Sequence, residues 1–194
     1  MKCQPLFFFL VLMVFSASSG WANEDEILEE VQKRTFRYFW EQSHPRTGLV
    51  RERTSTPHTT TIGGTGFQLM AFIVGHKRAY ISRHKVLGRL CKIINSLERS
   101  PRYHGVFPHW INGQTDETKP FSKYDNGADL VETALVVQGL LCVRQYFTGS
   151  GAVEETIREK ADRLWRAVDW QFFTKGEKAL YWHWSPNYGW KMNL

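Results

Sequence analysis

The sequence predicts an all-α protein built from helical hairpins, with short β-hairpin insertions leading into its loops. Three observations point there. Five stretches repeat apolar residues at the i, i+3, i+4 spacing of a helix face. The breaks between them are Gly, Pro and polar clusters, and only two short segments depart from that period toward strands. At 194 residues the chain has the size of one domain or of part of a larger one.

Residues 1–22 read as a secretory signal. Lys2 supplies the charged start, Leu6–Phe15 is an unbroken apolar core, and Gly20-Trp21-Ala22 offers a small-x-small cleavage site. The apolar run is short for a bilayer span, and no cysteine follows it as a lipid-attachment site needs. Cleavage near Ala22 starts the mature chain at Asn23, removes Cys3 and predicts a periplasmic or secreted protein with no stable membrane anchor.

The first helix is expected from Asn23 to about Gln42. Asn23 can cap it, Glu24, Asp25 and Glu26 suit its first turn, and Ile27, Val31, Tyr38 and Phe39 approximate one apolar face. His44-Pro45 ends it, and 45–62 is a polar loop without periodic signal. A second helix starts near Gly64–Gly66 and runs to Tyr80. Gly63, Gly64 and Gly66 let a backbone or a ligand approach closely; with no GK[ST] following, they are not a phosphate loop. Ser82 is the expected N-cap of a third helix through Glu98, with Val86, Leu90, Ile93, Ile94 and Leu97 on one face. Ser100-Pro101 stops it. The short turn between the second and third helices predicts an antiparallel hairpin. Tyr103–Gly113 breaks the helical period and suggests a strand and a tight turn. A fifth helix is expected over Val153–Phe173, with Ile157, Ala161, Leu164, Trp165, Val168 and Phe172 in register. Ala179–Trp184 alternates as a strand does, and 185–190 is a turn.

The fourth helix, Lys123–Phe147, is the centre of the reading. Asp125, Asp129 and Glu132 stand at i, i+4 and i+7 and project from one face. Behind them Leu130, Ala134, Leu135, Val137, Leu140, Leu141 and Cys142 are almost continuously apolar, which predicts burial on most sides. Carboxylates at the head of a buried helix face a cleft or a shared polar pocket. Helix neighbours at i, i+4 have Cβ atoms about 5–6 Å apart, so these acids can crowd one site, with one held protonated by its neighbours. Asp125, Asp129 and Glu132 are the candidate site carboxylates. The alternative is structural: Asp125 as an N-cap, Asp129 in the field of the helix dipole, and Glu132 paired with Arg51 or Arg53.

Aromatics make up 14% of the chain and include eight Trp. Trp110 and His109 in FPHW, and Trp182 and Trp184 in YWHW, can stack on sugar rings or fill a helical core. The formal charge of +6 is scattered, with no basic helix carrying interleaved aromatics, so no nucleic-acid partner is expected. The absence of CxxC or a Cys–His cluster argues against zinc, and the single acidic cluster argues against a diphosphate–Mg²⁺ site. No metal and no cofactor are expected. Cys91 and Cys142 are expected as buried free thiols, with one disulfide as the alternative.

Several segments in order resemble the bacterial glucoamylase-like family, a group of exported endo-β-1,2-glucanases and related glycoside hydrolases. They are TTIGGTGFQLMAFIVGHKRAYISR (60–83), YHGVFPHWINGQT (103–115), KYDNGADLVETALVVQGLLCVRQYF (123–147), AVDWQFF (167–173) and LYWHWSPNYGWKMNL (180–194). The resemblance implies an (α/α)6 toroid of six helical hairpins, of which residues 23–194 form the N-terminal half. It implies a glucan or oligosaccharide substrate of the β-1,2 type, with Asp125, Asp129 and Glu132 in the cleft. Glycoside hydrolysis uses two carboxyl groups, roughly 6.5–9.5 Å apart for inversion and roughly 5–5.5 Å for retention, and the resemblance makes Asp129 and Glu132 the candidate catalytic carboxylates, unranked, and Asp125 a substrate-binding candidate. It also puts the general acid in a Tyr-Asn-Glu stretch beyond Leu194. A non-catalytic glycan-binding remnant is the second expectation.

Overall fold

The structure, a computed structural model, describes residues 24–192. The expected signal segment and the Asn23 cap lie outside the described residues. Five α-helices dominate: α1 (Glu24–Glu41), α2 (Ile62–Lys77), α3 (Arg83–Arg99), α4 (Leu130–Tyr146) and α5 (Ala152–Arg166). Five short strands join them: β1 (Thr59–Thr61), β2 (Trp110–Asn112), β3 (Thr118–Lys119), β4 (Ala128–Asp129) and β5 (His183–Trp184). Among the described residues no helix is long and apolar enough to cross a membrane.

The strands set the starts of the two central helices. β1 runs directly into α2 and β4 directly into α4. β1, β2 and β3 form one antiparallel sheet in that order, with Thr60 opposite Ile111 and Trp110 opposite Lys119. β4 pairs with β5, placing Asp129 opposite His183 and Ala128 opposite Trp184. The expected polar loop 45–62 therefore carries a strand and further bridges, Ser43 to Val50 and Arg51 to Thr60.

α2 and α4 pack backbone to backbone. A Cβ on Gly66 would collide with the Leu135 carbonyl, and one on Gly139 would meet Gly66. Of the three glycines expected to allow a close approach, Gly66, with Gly139 opposite, lets the two helices touch along their main chains, whereas Gly63 faces the Glu132 and Leu135 side chains and Gly64 faces Thr61 and Val50. α1 docks through Phe36, whose ring lies where a Cβ on Gly75 would stand. α3 buries Val86, Leu90, Ile93, Ile94 and Leu97, as its period predicts. These residues join Phe72, Leu140, Phe147, Ile157 and Leu164 in the main core, and Val106, Ala128, Val168 and Phe173 centre a second cluster.

Four expectations need correction. The fourth helix begins at Leu130, not Lys123, because Asp125-Asn126-Gly127 turns the chain and β4 intervenes. On α1, Ile27 and Val31 are exposed and Phe36 is the buried residue, since only its C-terminal half meets α2. α5 ends at Arg166: the Tyr103–Val106 turn crosses there, with Gly105 against the Ala167 carbonyl and the Asp169 N–H donating to the His104 carbonyl. A 3-10 turn over Phe172–Thr174 then buries Phe173 instead of Phe172. Cys91 and Cys142 are free thiols but only partly buried.

Candidate active site at the head of α4

Main-chain N–H groups tie together the segments around Asp129. The Asp129 N–H donates to the Phe107 carbonyl and the Leu130 N–H to the Trp182 carbonyl. The Phe107 N–H donates to Thr133 Oγ1 at 2.9 Å. These contacts bring 107–110 and 182–184 to the first turn of α4.

Asp129 is the N-cap of α4 and is fully buried. Its Oδ1 accepts from the Glu132 N–H at 3.0 Å and from the Trp182 indole N–H at 2.8 Å. Its Oδ2 lies 2.7 Å from His109 Nδ1 and 3.4 Å from His183 Nε2. Asp125, in the preceding turn, places Oδ2 3.1 Å from His183 Nε2 and 3.6 Å from His109 Nδ1. Two carboxylates and two imidazoles thus interleave in one buried knot. The structure brings Asp125 and Asp129 together through this knot and not through a shared helix face. Asp125 Oδ1 and His183 Nδ1 are buried without a protein partner among the described residues.

Burial alone would disfavour every charge here, but the pairing prevails. Desolvation pushes His109 down, yet its hydrogen bonds to Asp125 and Asp129 and the charge of Glu132 raise it to about 10. His183 is likewise lifted against its burial by the same two carboxylates, to about 9. Asp125 and Asp129 are both held low: burial opposes this, and the two imidazoles overcome it. A second proton on His183 would sit on Nδ1, which has no acceptor, so His109 takes the imidazolium charge first. His109, Asp125 and Asp129 bring ligand atoms within 4.8 Å of one another, a spacing open to a metal ion. The imidazole–carboxylate pairing accounts for that convergence by itself.

Glu132 points elsewhere. It is half-buried, and its Oε2 accepts from Thr61 Oγ1 at 2.9 Å and from the Gly63 N–H at 2.7 Å. Asp129 and Glu132 have the spacing of a capping box, but the Asp129 N–H is taken by Phe107. The Glu132 carboxylate therefore crosses to the start of α2, where it accepts one of the N–H groups that a helix N-terminus leaves unpaired. The expected arginine partners are engaged otherwise, Arg51 with Gln42 and Arg53 with Glu52. Oε1 of Glu132 takes no hydrogen bond among the described residues.

Of the aromatic candidates, Trp182 is 41% exposed and stacks on His183. Trp110 is half-buried and meets His109 edge-on. Trp184, on the opposite side of β5 from His183, packs with Tyr103, His104 and Phe172 in the second core cluster. Sequence reasoning missed the convergence of His183 with the acids. Its signal was the alternation of YWHW, which sends His183 and Trp184 to opposite sides of β5.

A family profile described as "Protein of unknown function (DUF3131)" matches residues 30–132. The exo β-1,2-glucooligosaccharide sophorohydrolase of Parabacteroides distasonis is 39% identical over 182 residues, covering 92% of this chain and 25% of that protein. The endo-β-1,2-glucanase of Chitinophaga pinensis, solved with sophorotriose and glucose, superposes with a TM-score of 0.85 at 44% identity. That match covers 90% of this chain and 44% of the other. A candidate glucoamylase from Bacteroides uniformis matches with a TM-score of 0.86 at 47% identity, covering 89% of this chain and 43% of that one. The chain therefore spans under half the length of each of these relatives. The matched region includes Thr61, Gly63, His109, Asp125, Asp129 and Glu132, and the chain belongs to this DUF3131 family, within the glucoamylase-like group that contains the β-1,2-glucanases.

Proposed function

We propose that this chain forms the glucan-facing portion of an exported β-1,2-glucan hydrolase, its helices one part of an (α/α)6 ring. The observation that carries the reading is Glu132: one oxygen is fixed by Thr61 and Gly63 and the other is left unbonded, beside a knot of acids and imidazoles. The likeness to a glucanase solved with sophorotriose supports the substrate class.

Glu132 is the carboxylate assigned to activate water or hold a sugar hydroxyl. Asp125 and Asp129 hold His109 and His183 in position, while Trp182 and Trp110 offer ring faces to the sugar. Their imidazoles hold Asp129 well below the usual carboxylate range and lower Asp125 as well, so neither can serve as the acid that protonates a leaving oxygen near neutral pH. That acid has to come from another segment.

The test is a chimera that joins this chain to the remaining portion of the Chitinophaga pinensis enzyme, assayed on β-1,2-glucan. Glu132→Gln should lower turnover about 10²–10⁴-fold with little change in melting temperature, because Gln still accepts from Thr61 and Gly63. A folded chimera that cleaves no β-1,2-glucan, or one unaffected by E132Q, contradicts the reading. A second reading, glycan binding without turnover, is favoured by the locking of two of the three acids into ion pairs. It predicts that the chain binds the glucan and that no chimera cleaves it.

A further inference from the structure

A single large apolar side chain, Phe121, interrupts the polar stretch 113–123, and it stands at the edge of the imidazole–carboxylate knot. Its ring stacks on His109 with centroids 4.3 Å apart and planes at 29°. It also leans on Trp110 at 4.8 Å and 58°. Half of the residue nevertheless remains exposed.

The ring is not carried on a loose loop. The Phe121 and Ser122 N–H groups both donate to the Asp125 carbonyl, at 2.9 and 3.3 Å, and Pro120 fixes the backbone before it. The residue whose carboxylate enters the knot therefore also anchors the ring through its main chain. One ring face is spent on His109, and the exposure belongs to the rest. A half-exposed phenyl ring costs apolar contact with water, which a core role would have avoided. Seated beside a charged, hydrogen-bonding cluster, an open aromatic face combines with polar groups as a carbohydrate site requires: apolar C–H faces of the sugar on the ring, and hydroxyls on the acids and imidazoles.

We infer that Phe121 is a sugar-stacking residue, presenting its outer face to a glucose ring of the bound glucan next to His109 and Trp110. The inference rests on the glucan reading above and adds a contact to it. With Trp182 at the other imidazole, it gives the knot an exposed ring associated with each histidine.

Titrating sophorotriose into the 194-residue chain by calorimetry tests this. Phe121→Ala should weaken binding about tenfold, Phe121→Leu should weaken it similarly because bulk without a π face does not substitute, and Phe121→Trp should bind at least as well as wild type. The His109 imidazole resonances followed in parallel separate a second role: if F121A shifts the His109 titration but leaves affinity unchanged, Phe121 is a shield for the imidazole and the inference fails. Wild-type affinity in F121L overturns it too. If the wild-type chain itself does not bind sophorotriose, the glucan reading falls and the stacking role with it. If wild type binds and F121A binds equally, the stacking role alone falls.

Discussion

Asp129 combines two duties that usually fall to different residues. It caps α4 through Oδ1 and neutralises an imidazole through Oδ2. Asn caps a helix as well as Asp, so Asp129→Asn isolates the second duty: it should destabilise the fold by about 3 kcal/mol, the scale of breaking one partner out of a buried ion pair. The same pairing fixes a pH dependence. His109 and His183 are raised to about 10 and about 9, so their contribution is complete below the unfolded value of about 6.5 and is lost as pH rises through those folded values. Asp125 and Asp129 are lowered; their contribution holds above about pH 4 and disappears as pH falls through their folded values. The urea midpoint should therefore decline between about pH 7 and 10 in wild type, with a shallower decline in D129N. A flat wild-type profile would mean the knot carries no net ion pairing. Part of this was legible: the types and spacing of Asp125, Asp129 and Glu132 drew attention to the segment that carries the buried imidazole–carboxylate knot. The histidines that organise the aspartates come from 20 residues before Asp129 and 54 after it, a distance no local pattern reports.

At the scale of elements, the reading worked where one face was buried by one neighbour. α3 has five apolar positions at helical spacing and buries all five. It failed where burial depended on what lay across from the element. The first turns of α1 carry Ile27 and Val31 at the right spacing, but nothing among the described residues packs on them closely enough to bury them. The start of α4 differs too: Asp125-Asn126-Gly127 is a turn signal and Asp129 with Glu132 three positions on is a helix-start signal, and both prevail over the i, i+4, i+7 spacing of the acids. Gly66 is a close approach as expected, and that makes a quantitative contrast available. Gly66→Ala drives a methyl into the Leu135 carbonyl, backbone that cannot turn aside, and should cost about 3 kcal/mol or more. Gly88 on α3 is exposed with nothing near its missing Cβ, so Gly88→Ala should stabilise by about 0.4–1 kcal/mol. Denaturant titration of the two variants reads both signs; equal effects would contradict the main-chain contact between α2 and α4.

On the scale of the whole molecule, two surfaces compete for attention. One is the knot at the head of α4, small, charged and rimmed by Phe121, Trp110 and Trp182. The other is an apolar groove of about 860 Å³ along α2 and α4, lined by Met70, Ile73, Val74, Ala134 and Leu141, with a neighbouring groove of about 640 Å³ toward α1. The uniform greasiness of α4 predicted burial on most sides, yet Leu141 and Val131 lie open. The lining of the larger groove has no carboxylate to act on a sugar. The ordered motifs carried the family, and the helical character followed from periodicity, but the way the aspartates are held became visible only when the histidines closed around them. The most direct test is an NMR titration of the 194-residue chain with sophorotriose, following side-chain and amide signals on both surfaces. The account predicts shifts at the Trp182 indole N–H, at His109 and at the Gly63 amide bonded to Glu132, with Met70, Val74 and Leu141 unmoved. Shifts confined to the α2/α4 groove, or none at the knot at saturating ligand, would contradict it.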